Sequence, residues 1–130
     1  EVSKIMIKKG SGTIVNIGSH YGMIAPDNRI YKKGMFKSIG YSTVKGAIPN
    51  FTRAWASYLG PHGIRVNCFV PGGVFLNHNK DFVKKYSERT MLGRMARASE
   101  YDQTLLFLSS DASSYITGTT LVADGGWTAW

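Results

Sequence analysis

Three short apolar runs, each ending at a glycine-containing turn, constrain the fold of this chain most strongly. They span residues 12–19, 64–70 and 119–123, and the first is nearly continuous in Ile, Val and Thr. Runs of this kind are typical of strands that are buried on both faces of a parallel sheet. The sequence therefore predicts three strands whose carboxyl ends lie close to glycine turns.

Helical patterns separate these runs. The longest, over residues 40–59, places five apolar residues on one predicted face: Val44, Ile48, Phe51, Trp55 and Leu59. Shorter helical segments are predicted over 80–90 and 99–110, and residues 1–10 resemble the end of a helix. Strands that alternate with helices predict an α/β fold with a parallel sheet, in one domain over residues 1–130.

Tyr41 and Lys45 lie four residues apart in the longest predicted helix, so their side chains share one face, one turn apart. A neighbouring cation favours the phenolate and so lowers the pKa of a tyrosine. Such a tyrosine can exchange a proton with a substrate hydroxyl or carbonyl oxygen. The chain has seven tyrosines and many lysines, so the pair alone is also consistent with chance.

Two turns follow predicted strands at the positions where open parallel sheets bind ligands. Ser19 ends the first strand, and Pro71, Gly72 and Gly73 end the second. The second turn leaves backbone N–H and C=O groups accessible, which suits a flat ring that carries an amide. Ordinary turn chemistry is the alternative for both.

Residues 20–38 form a predicted loop in which Lys32, Lys33 and Lys37 alternate with aromatic residues. A long loop beside a strand end is often a lid or a specificity element. We therefore expect it to contact a polar, anionic substrate. A solvated surface loop is the alternative.

The net charge of +8 is spread along the chain, so we expect no nucleic-acid partner. No apolar run reaches the ~18 residues of a membrane span, so no membrane partner is expected. The single Cys68 excludes an internal disulfide, and the three histidines show no metal-ligand spacing. These features predict a cytoplasmic protein without a metal.

Several motifs follow one another in a specific order: Ile14–Ser19, Tyr41–Lys45, Ile64–Asn67, Pro71–Val74, Leu92–Arg94, the run from Ser110 to Gly118, and Asp124–Gly126. In this order they resemble the C-terminal half of a short-chain dehydrogenase/reductase, with greatest similarity to sugar-modifying and flagellin-modification members. The resemblance implies the C-terminal portion of a Rossmann-like doubly wound parallel sheet. The dinucleotide-binding strands and their Gly-rich turn would lie before Glu1.

The resemblance also implies residue roles. Tyr41 would be the general acid/base, Lys45 would lower its pKa and hold the nicotinamide ribose, and Ser19 would bind the reacting oxygen. Pro71, Gly72, Gly73 and Val74 would join Tyr41 and Lys45 in binding the cofactor, NAD or NADP. Substrate contacts are expected from Ser19, His20 and Tyr21.

The implied activity interconverts an alcohol and a carbonyl on a sugar-like or other small polar molecule. A truncated, non-catalytic module that serves in assembly or binding is the alternative. The aromatic tail, residues 127–130, is expected to pack either on a partner subunit of a homo-oligomer or on the core of its own chain.

Overall fold

A computed structural model describes all 130 residues and contains one parallel sheet. Its strands are β1 (Gly12–Ile17), β2 (Ile64–Pro71) and β3 (Thr120–Ala123), in the order β1-β2-β3. Gly12 pairs with Ile64, and Cys68 pairs with Thr120. The prediction of an α/β fold with three parallel strands is confirmed.

Four α-helices connect and flank the strands: α1 (Val2–Lys9), α2 (Ile39–Leu59), α3 (Lys80–Ser87) and α4 (Asp102–Ser109). The helix predicted from residue 99 begins instead as a 3₁₀ turn over Ala98–Tyr101, where the Glu100 side chain accepts a hydrogen bond from the Arg97 N–H. None of these helices has the length and apolar character needed to cross a membrane.

The helices cover both faces of the sheet. Successive side chains of a strand point to opposite faces, so Thr13 and Asn16 lie on different sides of β1. Asn16 donates a hydrogen bond to Thr52 of α2, whereas the Thr13 hydroxyl donates to the Leu108 carbonyl of α4. The chain therefore forms three layers, with α2 and α4 on opposite sides.

The prediction that the strands are buried on both faces is correct for β2 but wrong for β1. Asn67 and Phe69 on one face of β2 and Cys68 on the other are all buried, whereas 44% of Ile17 remains exposed. β2 lies between two strands, and β1 is an outer strand with one neighbour. The apolar run alone could not distinguish a central strand from an outer one.

The predicted apolar stripe of α2 is only partly buried. Val44 and Phe51 are 64% and 54% exposed, and the buried positions are Thr52, Ala56 and Leu59. Thr52 and Ala56 are small, so α2 can approach the sheet along their face. The larger side chains on the adjoining face remain on the outside.

Residues 20–38 do not form a simple surface loop. Two 3₁₀ turns, His20–Gly22 and Asn28–Ile30, bury His20, Tyr21 and Ile30. Tyr21 and Ile30 belong to a core cluster with Trp127 of the tail, which is 1% exposed. The tail therefore packs partly on its own chain, although Trp130 is largely exposed.

Candidate active site

The carboxyl ends of all three strands lie at one edge of the sheet, because parallel strands end on the same side. A cavity of about 280 Å³ opens there and is lined by Ser19, Tyr41 and the segment 71–74, among others. Residues predicted from separate motifs therefore share one cavity.

The first turns of α2 place Tyr41 beside two ammonium groups. Lys45 Nζ lies 5.9 Å from the centre of the Tyr41 ring, and Lys37 Nζ lies closer, at 4.2 Å. Lys45 also donates a 2.8 Å hydrogen bond to the Ile17 carbonyl at the end of β1. One of its three N–H donors is thus used to fix the side chain, and two remain.

Ser19 follows β1 and caps the 3₁₀ turn over His20–Gly22. Its Oγ accepts a hydrogen bond from the Tyr21 N–H at 3.2 Å, and it is 5% exposed. No acceptor in the protein takes the hydrogen of its hydroxyl. Ser19 can therefore donate to an oxygen atom placed in the cavity.

His20 is buried beside Ser19, and its Nδ1 lies 3.3 Å from the Pro71 carbonyl oxygen. A carbonyl only accepts, so Nδ1 carries the proton and Nε2 of the neutral ring is an acceptor. Nε2 is buried and has no partner in the protein. Burial lowers the pKa of His20, and the charge of Lys37 lowers it further, against the opposing effects of Pro71 and Asp124.

In the turn after β2, some backbone groups are hydrogen-bonded within the protein and others are not. The Gly73 N–H donates to the hydroxyl of Tyr86, and Phe75 N–H bonds to the Ala96 carbonyl. No hydrogen bond in the structure uses the N–H or C=O of Val74. A carboxamide needs one acceptor and one donor, so this free pair fits the amide of a nicotinamide ring.

Two aromatic residues of the cavity wall, Phe82 and Tyr86, were not predicted from the sequence, whereas Tyr31 belongs to the 20–38 segment that was expected to contact the substrate. Tyr86 is 3% exposed, its ring centre lies 4.4 Å from that of Trp127, and burial raises its pKa. Phe82 and Tyr86 are four residues apart on α3, a helix predicted only as polar. This spacing places both aromatic side chains on one face of α3, and it could have indicated that they pack together.

Comparison with known proteins identifies related chains. A family model described as enoyl-(acyl carrier protein) reductase matches residues 1–128. Galactitol 2-dehydrogenase (L-tagatose-forming) of Cereibacter sphaeroides is 35% identical over 98% of this chain and 50% of its own length. Post-translational flagellin modification protein A of Campylobacter coli is 38% identical over 98% and 50%. The chain thus spans about half the length of these curated relatives.

Solved structures share the architecture. A short-chain dehydrogenase of Leptospira borgpetersenii with bound NAD+ superposes with a TM-score of 0.90 at 42% identity, covering 97% of this chain and 48% of that one. A gluconate 5-dehydrogenase of Burkholderia cenocepacia, in complex with NADP and tartrate, gives 0.87 at 28% identity, with 99% and 49% covered. The matched sequence, sheet and strand-end cavity together establish that the chain belongs to the short-chain dehydrogenase/reductase family of oxidoreductases.

Proposed function

We propose that this chain forms the catalytic part of an NAD(P)-dependent oxidoreductase that interconverts an alcohol and a carbonyl on a sugar-like or other small polar substrate. One observation carries the proposal: Ser19, Tyr41 and the free backbone groups of Val74 line the same cavity. This reaction requires a group that transfers the proton, a group that binds the reacting oxygen, and a turn that binds the carboxamide of the cofactor.

Tyr41 is the general acid/base. In the oxidation it accepts the proton of the substrate hydroxyl, and in the reduction it returns a proton to the carbonyl oxygen. Ser19 donates its free hydroxyl hydrogen to the same oxygen and so holds it near Tyr41. His20 and Tyr21 contact the substrate as part of the cavity wall, and their ring centres lie 4.1 Å apart.

The chain's contacts to the cofactor come from two elements. Pro71, Gly72 and Gly73 form the wall against a nicotinamide ring, and the backbone of Val74 pairs with its carboxamide. Lys45 directs its two remaining donors to ribose hydroxyls. When bound, the nicotinamide supplies or accepts the hydride, and either NAD or NADP fits this role.

Steady-state turnover of the protein expressed from its complete reading frame tests the proposal. Tyr41→Phe removes the proton-transfer group and should lower kcat by about 10²- to 10⁴-fold, whereas dinucleotide binding is retained. Tyr58→Phe is the matched control, because Tyr58 lies exposed on the same helix. Turnover by Tyr41→Phe at the rate of the control would contradict the assignment.

The alternative is a non-catalytic module that serves in assembly or binding. This alternative is favoured because the chain spans only half of the length of its curated relatives. Dinucleotide-dependent oxidation of polyols or reduction of keto-sugars separates the two. A properly folded protein that binds dinucleotide but turns over none of these compounds would support the module.

The proposal includes a homo-oligomer. Ile5, Val44 and Phe51 are apolar side chains of α1 and α2 that are more than half exposed, and contact with a second subunit would cover them. Sedimentation velocity should give a dimer or a tetramer. A monomer at all concentrations up to the micromolar range would contradict this part of the proposal.

A further inference from the structure

Among the three lysines of the 20–38 segment, only Lys37 reaches the active-site cavity. Its side chain is half-buried, whereas Lys32 and Lys33 are exposed. Its backbone N–H donates a 3.1 Å hydrogen bond to the Asn28 side chain, and its ammonium lies 4.2 Å from the centre of the Tyr41 ring. Lys37 is therefore held next to the group that exchanges the proton.

The charge of Lys37 has no counterion. Of the 16 residues that line the cavity, Lys37 is the only lysine or arginine, and none is an aspartate or glutamate. No ion pair of the structure includes Lys37. Two carboxylates act on residues of this wall, Asp124 on His20 and Asp27 on Tyr21. Asp124 accepts hydrogen bonds from Gly126 and Thr128. Asp27 forms ion pairs with Arg29 and Arg89.

An ammonium without a counterion in a partly desolvated cavity attracts an anion more strongly than one in bulk water. The two histidines that line the cavity do not neutralise the charge of Lys37, because a neutral imidazole carries no negative charge. The cavity therefore has a positive potential on the side of Tyr41. A neutral polyol would leave that charge unpaired.

We propose that Lys37 selects a substrate that carries a carboxylate a few bonds from the reacting hydroxyl or ketone, that is, a small hydroxy or keto acid. This inference rests on the proposed function, because it places the carboxylate relative to Tyr41. Lys37 is a specificity-determining residue in this proposal, and the proton transfer remains with Tyr41.

The test uses the complete protein loaded with dinucleotide and a panel of aldonates with four to six carbons. Each aldonate is paired with the alditol of the same configuration, so the pair differs mainly in the charged end. The readout is the ratio of kcat/KM for aldonate to kcat/KM for alditol. Lys37→Gln should lower this ratio about ten- to a hundredfold, as expected for one lost charge-assisted hydrogen bond.

Lys33→Gln is the matched control and should leave the ratio unchanged, because Lys33 is exposed and outside the cavity. An equal loss on both substrates in Lys37→Gln would overturn the inference, since it would assign Lys37 to Tyr41 itself rather than to the substrate. A wild-type preference for every alditol would overturn it as well.

Calorimetric titration of the aldonates separates failure of this inference from failure of the proposed function. Aldonate binding that is lost in Lys37→Gln, without turnover of any pair, would support the anion site and contradict the proposed oxidation or reduction of sugar-like substrates. Turnover of the pairs with aldonate binding that is indifferent to Lys37 would refute the anion site alone.

Discussion

Replacing Gly22 with alanine should separate the turn that carries Ser19 from the helix that carries Tyr41 and Lys45. A Cβ atom at Gly22 would lie 2.5 Å from the carbonyl carbon of Lys45 and closer still to its oxygen. Both are backbone atoms, so no side-chain rotation can relieve the overlap. Gly22 has an ordinary φ, so backbone strain does not contribute to the effect.

The size of the effect follows from this distance. To restore an ordinary contact, the 3₁₀ turn and α2 must move apart by about 1 Å, and overpacking of this kind typically costs about 1–3 kcal/mol of unfolding free energy. Misplacement of catalytic groups by about 1 Å can reduce turnover about 10²-fold. We therefore expect a moderately destabilised protein with a large loss of kcat.

Gly46→Ala is the control for this experiment. Gly46 faces the same contact from α2, but its Cβ would lie 3.6 Å from the Gly22 carbonyl oxygen, an ordinary distance. Alanine within a helix is favoured over glycine by up to about 1 kcal/mol, so this variant should be as stable as the wild type or more so. Urea unfolding and steady-state turnover measure both variants. The reasoning is refuted if Gly22→Ala keeps wild-type stability and kcat.

Three further outcomes are expected. Asn67→Ala leaves the Thr119 N–H without its partner and removes one of the two donors to the Ile116 carbonyl, which keeps its hydrogen bond from Arg65. The unfolding free energy should fall by about 1–3 kcal/mol, and a loss below about 0.5 kcal/mol in urea unfolding would count against this prediction. Burial raises the pKa of Cys68, so a neutral alkylating reagent should modify it only after denaturation, as followed by mass spectrometry. Because burial lowers the pKa of His20, its contribution to stability is complete above the unfolded value of about 6.5 and is lost as the pH falls below it. His20→Phe should therefore flatten the pH dependence of unfolding below about pH 6.5, and an identical slope in both proteins would contradict this.

Local patterns were sufficient to predict the strands and the placement of Tyr41 and Lys45. Apolar runs and helical spacing depend on neighbouring residues, so the three parallel strands and the one-turn separation of this pair could be derived without the fold. The hydrogen bond from Lys45 to the Ile17 carbonyl could not be predicted from the sequence, because it depends on how α2 packs against β1.

The cavity wall was harder to predict because its members come from distant segments. Nothing in the local sequence distinguishes Lys37 from Lys32 and Lys33; only the packing of the 20–38 segment does. Tyr86 likewise meets Gly73 and Trp127 through tertiary contacts. Sequence periodicity therefore does not predict which side chains from different helices and strands contact one another.

The parallel pairing of the sheet has a kinetic consequence. Each strand pair joins residues about 50 positions apart, so chain entropy must be lost over a long loop before either ladder forms. Non-local pairing of this kind folds more slowly than helical bundles, which fold in about microseconds to milliseconds. β2 belongs to both ladders, so it is the strand whose late docking exposes most apolar surface to other chains. Newly synthesised chains should thus be most prone to aggregate before β2 is enclosed.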